Sequence, residues 1–272
     1  MLPIPSFAGN ACAGLSDEER EDLWWAAKTL ADEPGIIVRF ATVIGSGVDW
    51  VRGKAAEVGS KIFGDGWRTK VTETTEEVLW KAYDIATLGL GPQGEHEPWR
   101  WFNKAVTAVT GTVTGFIGVP GAAIDIPITT LLIMRSIAEI ARSKGEDLAS
   151  DETKRACLQV FAFGGPNIDE DAPETSYWST RMALSHGTIE ALIKQVATRF
   201  GIALSEKFMA QAVPIAGALT GGTLNYVFMD YYQQMARVHF ILRHLERKHG
   251  DDSAVRPCFD NLVRQARARK KM

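Results

Sequence analysis

The sequence predicts an all-α protein, a multi-helix bundle with two glycine-containing apolar helical hairpins and no significant sheet. Three observations carry that expectation. Apolar residues recur at three-to-four spacing along most of the chain, helix-capping patterns precede some of those stretches, and no segment sustains period-two alternation between turn signals. With 272 residues, 46% hydrophobic and 23% charged, the chain can bury a substantial core, and this composition excludes wholesale disorder.

Residues 1–15, interrupted by Pro3 and Pro5, read as a flexible segment, and 16–272 as a single helical domain. Ser16 followed by Glu19 is a capping box, with Asp17 and Glu18 suited to the positive end of the helix dipole. The helix behind it carries Leu23, Trp24, Ala27, Leu30 and Ala31 on one side and meets Pro34. The pattern continues from Ile36 to Val58, where Gly45, Gly47 and Gly53 each weaken it by up to about 1 kcal/mol relative to alanine. Thr72 to Leu90 is amphipathic through Val78, Leu79, Tyr83, Ala86 and Leu90, and stops in Gly89-Leu90-Gly91-Pro92. A polar loop over 91–97 precedes a restart near Trp99. Asp151 to Phe163 is helical and ends at Gly164-Gly165-Pro166. Residues 166–176 read as an exposed acidic loop, with helices again over Leu184–Phe200 and Gln211–His249.

Two stretches lack any charge, Ala105 to Ile124 and Phe208 to Met229. Each holds a GxxxG spacing, Gly111/Gly115 and Gly217/Gly221, that permits close approach of helix backbones. Each also holds a Val-Pro, at Val119-Pro120 and Val213-Pro214. Both reach the length of a membrane span. Four threonines in the first, the prolines in both and a mean hydropathy of −0.07 favour buried hairpins packed against each other over bilayer insertion. Asp125 ends the first stretch beside Pro127. It is expected to cap a helix beginning near Ile126, and also to pair with Asn225, His239 or Arg243 of the second block.

At these segments the sequence resembles the EcsC family of bacterial proteins. The first block runs from Gly118-Val-Pro-Gly121 through Asp125-Ile-Pro127 and an apolar helix to Gly145-Glu-Asp147. The second runs from Asn225 through Asp230 and His239 to Arg243 and on to Gly250. The resemblance spans roughly residues 50–265. It implies a helical protein, often encoded near transport or secretion machinery, and supplies no catalytic residues.

The residues themselves offer little chemistry. Gly47 to Lys54 has one residue too many for a phosphate loop, and no GxGxxG, GxSxG or HExxH occurs. His239, His244 and His249 lie five apart, about 140° around a helix, so they do not share a metal-binding face. Solvated or structurally hydrogen-bonded histidines are expected, with Arg243/Glu246 a simple ion pair, and no cofactor is expected. A metal-dependent enzyme using His239 and Asp230 is the lowest-ranked reading.

Cys12, Cys157 and Cys258 are far apart and form no CxxC pair, so neither a disulfide framework nor a thiolate zinc site is suggested. That fits a reducing compartment, and a cytoplasmic protein peripheral at the inner membrane is expected. The formal charge of −3 gives no reason to expect nucleic acid, yet residues 256–272 hold six basic residues against Asp260. The leading expectation is therefore a non-enzymatic accessory protein that meets anionic membrane lipid or a membrane-protein partner. A soluble carrier of an apolar ligand is the second.

Overall fold

The computed structural model describes residues 10–45, 66–90, 119–163, 173–212, 217–250 and 255–270. Among the described residues there are nine α-helices and no strand. They are α1 (Asp17–Asp32), α2 (Ile36–Ile44), α3 (Trp67–Ala86), α4 (Val119–Ser143), α5 (Asp151–Ala162), α6 (Pro173–Ala183), α7 (Ile189–Ala212), α8 (Gly217–His249) and α9 (Val255–Lys270). A 3-10 turn, Asn10–Cys12, precedes them. No described helix is long and apolar enough to cross a membrane.

Local sequence accounts for several boundaries. Glu19 N donates to Ser16 Oγ at 3.3 Å while Ser16 N donates to Glu19 Oε2 at 2.7 Å, the reciprocal box the sequence predicts. Ser150 caps α5 by accepting from Glu152 N. Helix α4 stops at Gly145, whose φ of +81° is left-handed. Gly145 N donates to Arg142 O and Glu146 N to Ala141 O, the paired bonds of a Schellman motif. That turn lays Glu146 back along α4 instead of letting the chain run on into solvent.

The central element is α8. At 33 residues it is about 50 Å long, and it packs against α1, α2, α4, α5, α7 and α9. Its Phe228 and Tyr232 join Phe40, Phe161 and Phe200 in one aromatic cluster; the Phe161 and Phe200 rings meet edge-on at 4.6 Å. Two polar groups admitted to this interior are bonded to neighbouring elements. Gln233 Nε2 donates to Ser136 Oγ at 2.7 Å, and the Tyr231 hydroxyl donates to Phe163 O at 2.7 Å.

Several expectations change. Helix α4 begins at Val119 and carries Pro127 inside it, so Asp125 lies within the helix and not at its cap. The proline removes one N–H and leaves the carbonyl four residues earlier without its usual donor. The loop expected over 166–176 does not reach 176, because α6 already starts at Pro173, a proline tolerated in a first turn. Of the segment 1–15, the described part holds the 3-10 turn Asn10–Cys12, and Cys12 and Leu15 are buried. Gly111, Gly115 and Gly118 lie outside the described residues, as do Val213 and Pro214. Gly121 falls in the first turn of α4, Gly217 opens α8 and Gly221 lies in its second turn.

A close helix crossing does occur at a glycine that the spacing rule passes over. A Cβ on Gly201 of α7 would lie 2.8 Å from Thr72 Oγ1 and 3.2 Å from Thr72 Cα of α3. Alanine normally gains up to about 1 kcal/mol over glycine within a helix. Here the approach of a backbone atom reverses the sign. Gly201→Ala is expected to destabilise by about 1 kcal/mol and Gly201→Leu by about 3 kcal/mol, measured by urea unfolding. An alanine variant more stable than the parent would show that the helices can separate freely.

Candidate functional site

The two blocks singled out in the sequence meet where the turn after α4 contacts the C-terminal half of α8. The Schellman turn presents Glu146, 4% exposed, to α8. Arg243 Nε donates to Glu146 Oε1 at 2.8 Å, Arg243 Nη2 reaches Glu146 Oε2 at 3.2 Å and Glu152 at 2.9 Å, and Arg247 also donates to Glu146. Thr153 Oγ1 donates to Glu146 Oε2 at 3.1 Å. Burial works to raise the Glu146 carboxyl, but the bonds and charges of Arg243 and Arg247 outweigh it and hold it below its usual value. Two further bonds close the same corner. His244 Nδ1 lies 3.0 Å from Lys144 O, and Arg247 Nη2 donates to that carbonyl at 2.9 Å.

Gly145-Glu146-Asp147 is thus a complete connector. The glycine ends α4, the glutamate is clamped by α8, and Asp147 Oδ1 accepts from Ala149 N before Ser150 starts α5.

Beside this clamp lies a second buried group. His239 is fully buried in α8, with its Nδ1 3.0 Å from the Tyr177 hydroxyl of α6 and Phe163, Tyr177 and Phe240 around its ring. Desolvation, helped by the Arg181 and Arg243 charges, drives its pKa well below the ordinary value, so it is a neutral imidazole. Burial pushes the Tyr177 phenol up to about 12. Arg181 of α6 pairs with Glu246 of α8 at 2.8 Å. The expected Arg243/Glu246 pair therefore does not form, because Glu246 is taken by Arg181 of α6 and Arg243 by Glu146 in the turn after α4. His249 lies 3.0 Å from Glu19 Oε1, and Lys248 reaches the same oxygen at 2.8 Å. The Lys248 hydrogen bond dominates in lowering the Glu19 carboxyl to about 2.

The other residues singled out in the sequence are dispersed. Asp230 accepts from Arg39 Nη1 of α2 at 2.9 Å and from Gln234 Nε2 at 2.6 Å, and Arg39 also pairs with Glu33. Asn225 is fully buried in α8. The expected pairing of Asp125 with Asn225, His239 or Arg243 lies outside the described side chains. The three histidines engage α6, the turn after α4 and α1 respectively, and no group of three or more acidic, histidine or cysteine side chains that could hold a metal occurs among the described residues. Tyr177, Arg181, Glu146 and Arg247 were missed as site residues. The signal that could have found Glu146 is an acidic residue directly after a helix-ending glycine.

The model of the EcsC protein family matches residues 96–245, more than half of the chain. The chain belongs to the EcsC protein family. The matched span is shorter than the resemblance suggested at both ends. It contains Glu146, Arg243, Tyr177 and His239, and leaves out α1, α9 and Arg247. No curated protein and no solved structure matches the chain. Within this EcsC domain Glu146 and Arg243 are paired with each other and His239 and Tyr177 are buried together.

The neutral His239 has a consequence for stability. Its folded pKa is depressed, so the unfolded chain takes up a proton below about pH 6.5 that the native protein refuses. The resulting stability is present above pH 6.5 and is lost as pH falls, with a slope of up to about 1.4 kcal/mol per pH unit. His239→Gln, which keeps a partner for Tyr177, should flatten the decline between pH 6.5 and 5 in denaturant titrations. Identical slopes in parent and variant would show that His239 protonates freely in the folded protein.

Proposed function

We propose that this EcsC-family protein is a non-enzymatic accessory protein that attaches peripherally to an anionic membrane surface through the basic C-terminal end of α9. The supporting observation is how that helix is held. Val255, Cys258, Phe259, Leu262, Val263 and Ala266 form its buried side, so the basic segment is a docked helix and not a loose tail. Arg264 is exposed on the opposite side, and Arg269 and Lys270 are exposed in the last turn, past the end of the buried stripe. Asp260, the acidic residue of this helix, accepts from Trp178 Nε1 at 2.8 Å.

Helices α1 and α9 start together and run in the same direction. Cys12, ahead of α1, is joined to Cys258 in the first turn of α9, and Arg269 near the end of α9 stacks over Trp24 of α1 at 5.4 Å. This arrangement separates charge, with Asp17 and Glu18 at the start of the pair and Arg264, Arg269 and Lys270 towards its end. Beside the basic end stands Trp25, 37% exposed, with Arg237 of α8 over its ring at 5.6 Å. A partly exposed indole flanked by cations is the combination that suits a headgroup layer. Each cation near such a surface contributes about 1 kcal/mol, and the contribution fades over a Debye length.

Flotation with neutral and phosphatidylserine-containing vesicles tests the reading. The full chain is expected to float with the anionic vesicles, less so as salt rises and the Debye length falls from about 10 Å at 0.1 M to about 3 Å at 1 M. Arg264→Gln/Arg269→Gln/Lys270→Gln, which leaves the buried face of α9 intact, should weaken binding by roughly 100-fold at low salt. Equal recovery of parent and variant in the unbound fraction on both lipids contradicts the proposal. An extractable acyl chain with no vesicle binding would favour a soluble carrier of an apolar ligand instead.

A further inference from the structure

The corner where the described chain begins is held by more than packing. A 3-10 turn of three residues has little stability of its own. Asn10–Cys12 nevertheless lies against α9, and Cys12 and Leu15 are 6% and 3% exposed. A disulfide joins Cys12 to Cys258, with a Cα–Cα separation of 4.9 Å, inside the range of roughly 4.4–6.8 Å seen for unforced bridges. The two residues are 246 apart in sequence, so the bond closes a very large loop in the unfolded chain. Both flank elements outside the matched family span.

Access to the bond is blocked. Cys258 is fully buried on the inner face of α9, and Cys12 is nearly so. Attack by an external thiolate on either sulfur therefore requires the turn to leave α9. The third cysteine does not compete. Cys157 of α5 is fully buried, and desolvation together with the Glu146 charge pushes its thiol far above its ordinary pKa, which leaves almost no thiolate to exchange.

We propose that Cys12–Cys258 is a permanent clasp, formed by a thiol–disulfide oxidant as the chain folds, and that this protein works in an oxidising compartment. Formation is balanced by the oxidant. The thiolate of one cysteine attacks the oxidant's disulfide to give a mixed disulfide and one thiol, and the second cysteine then displaces the oxidant's other sulfur. The chain loses two electrons and two protons and the oxidant becomes a dithiol. A buried bond of this kind persists where thiols are not kept reduced, which places the basic end of α9 on the oxidising side of the membrane it would meet. The inference replaces the expectation of a reducing compartment, which rested on three unpaired cysteines.

Thiol trapping tests it. Full-length protein from its source cells is denatured at lysis in excess N-ethylmaleimide, then weighed intact and digested. One labelled thiol per chain, on Cys157, and a linked peptide pair containing Cys12 and Cys258 are expected. Three labelled thiols overturn the proposal. A second measurement uses melting without reductant. Cys12→Ala, Cys258→Ala and the double variant should each melt roughly 5–15 °C below the parent and close to one another, because loss of either sulfur removes the same bond. Prolonged treatment with reductant in mild denaturant should bring the parent down to the variants. A parent that melts with its single variants before any reduction shows that the clasp is open, and the proposal fails.

Discussion

The Glu146 carboxylate depends on the guanidinium of Arg243, and the way α4 meets α8 depends on both. A carboxylate moved out of water is unfavourable by several kcal/mol unless a cation and hydrogen-bond donors replace the solvent. Here Arg243 supplies two donors, Arg247 another and Thr153 a fourth, while Glu152 takes the outer side of Arg243. Such a pair need not add net stability relative to a well-packed apolar substitute. Its effect is on register, because a shift of α8 along α4 would leave two charges buried apart. The left-handed Gly145 makes the arrangement possible by turning the chain back at the end of α4. The Tyr177–His239 bond and the Arg181–Glu246 pair then fix α6 on the same stretch of α8.

Much of this helical frame was legible in the sequence, for identifiable reasons. The Ser16–Glu19 box and the bounds of α5 are local events, decided by side chains within four residues of one another. Features that join distant residues were not legible. Arg243 and Glu246 are three apart and looked like a pair, whereas each is bonded to a residue distant in sequence. Gly201 is a single glycine without a GxxxG partner, and only the crossing with Thr72 gives it meaning. Cys12 and Cys258 carry no spacing signal because the bundle, not the local chain, brings them together. Pro127 was read as a start signal, since proline suits a first turn, yet α4 runs through it.

The family match and the chain's ends divide the molecule in an informative way. Glu146 and Arg243 of the clamp between α4 and α8 lie inside the matched span, and Arg247 lies just beyond it. The elements given a function here, α1 and α9, lie outside it. They are attached to the frame by apolar packing and by Lys248 and His249 on Glu19, and to each other by the disulfide.

The central claim is that the two blocks are coupled through Glu146 and Arg243, and a double-mutant cycle measures that coupling directly. Glu146→Gln, Arg243→Met and the double variant are compared with the parent by urea unfolding. Each single variant leaves a buried group without its partner and should lose about 3–5 kcal/mol. The double variant should lose clearly less than the two together, giving a coupling energy of about 2 kcal/mol or more. Additive losses, with a coupling below about 0.5 kcal/mol, would show that the blocks are held together by something else.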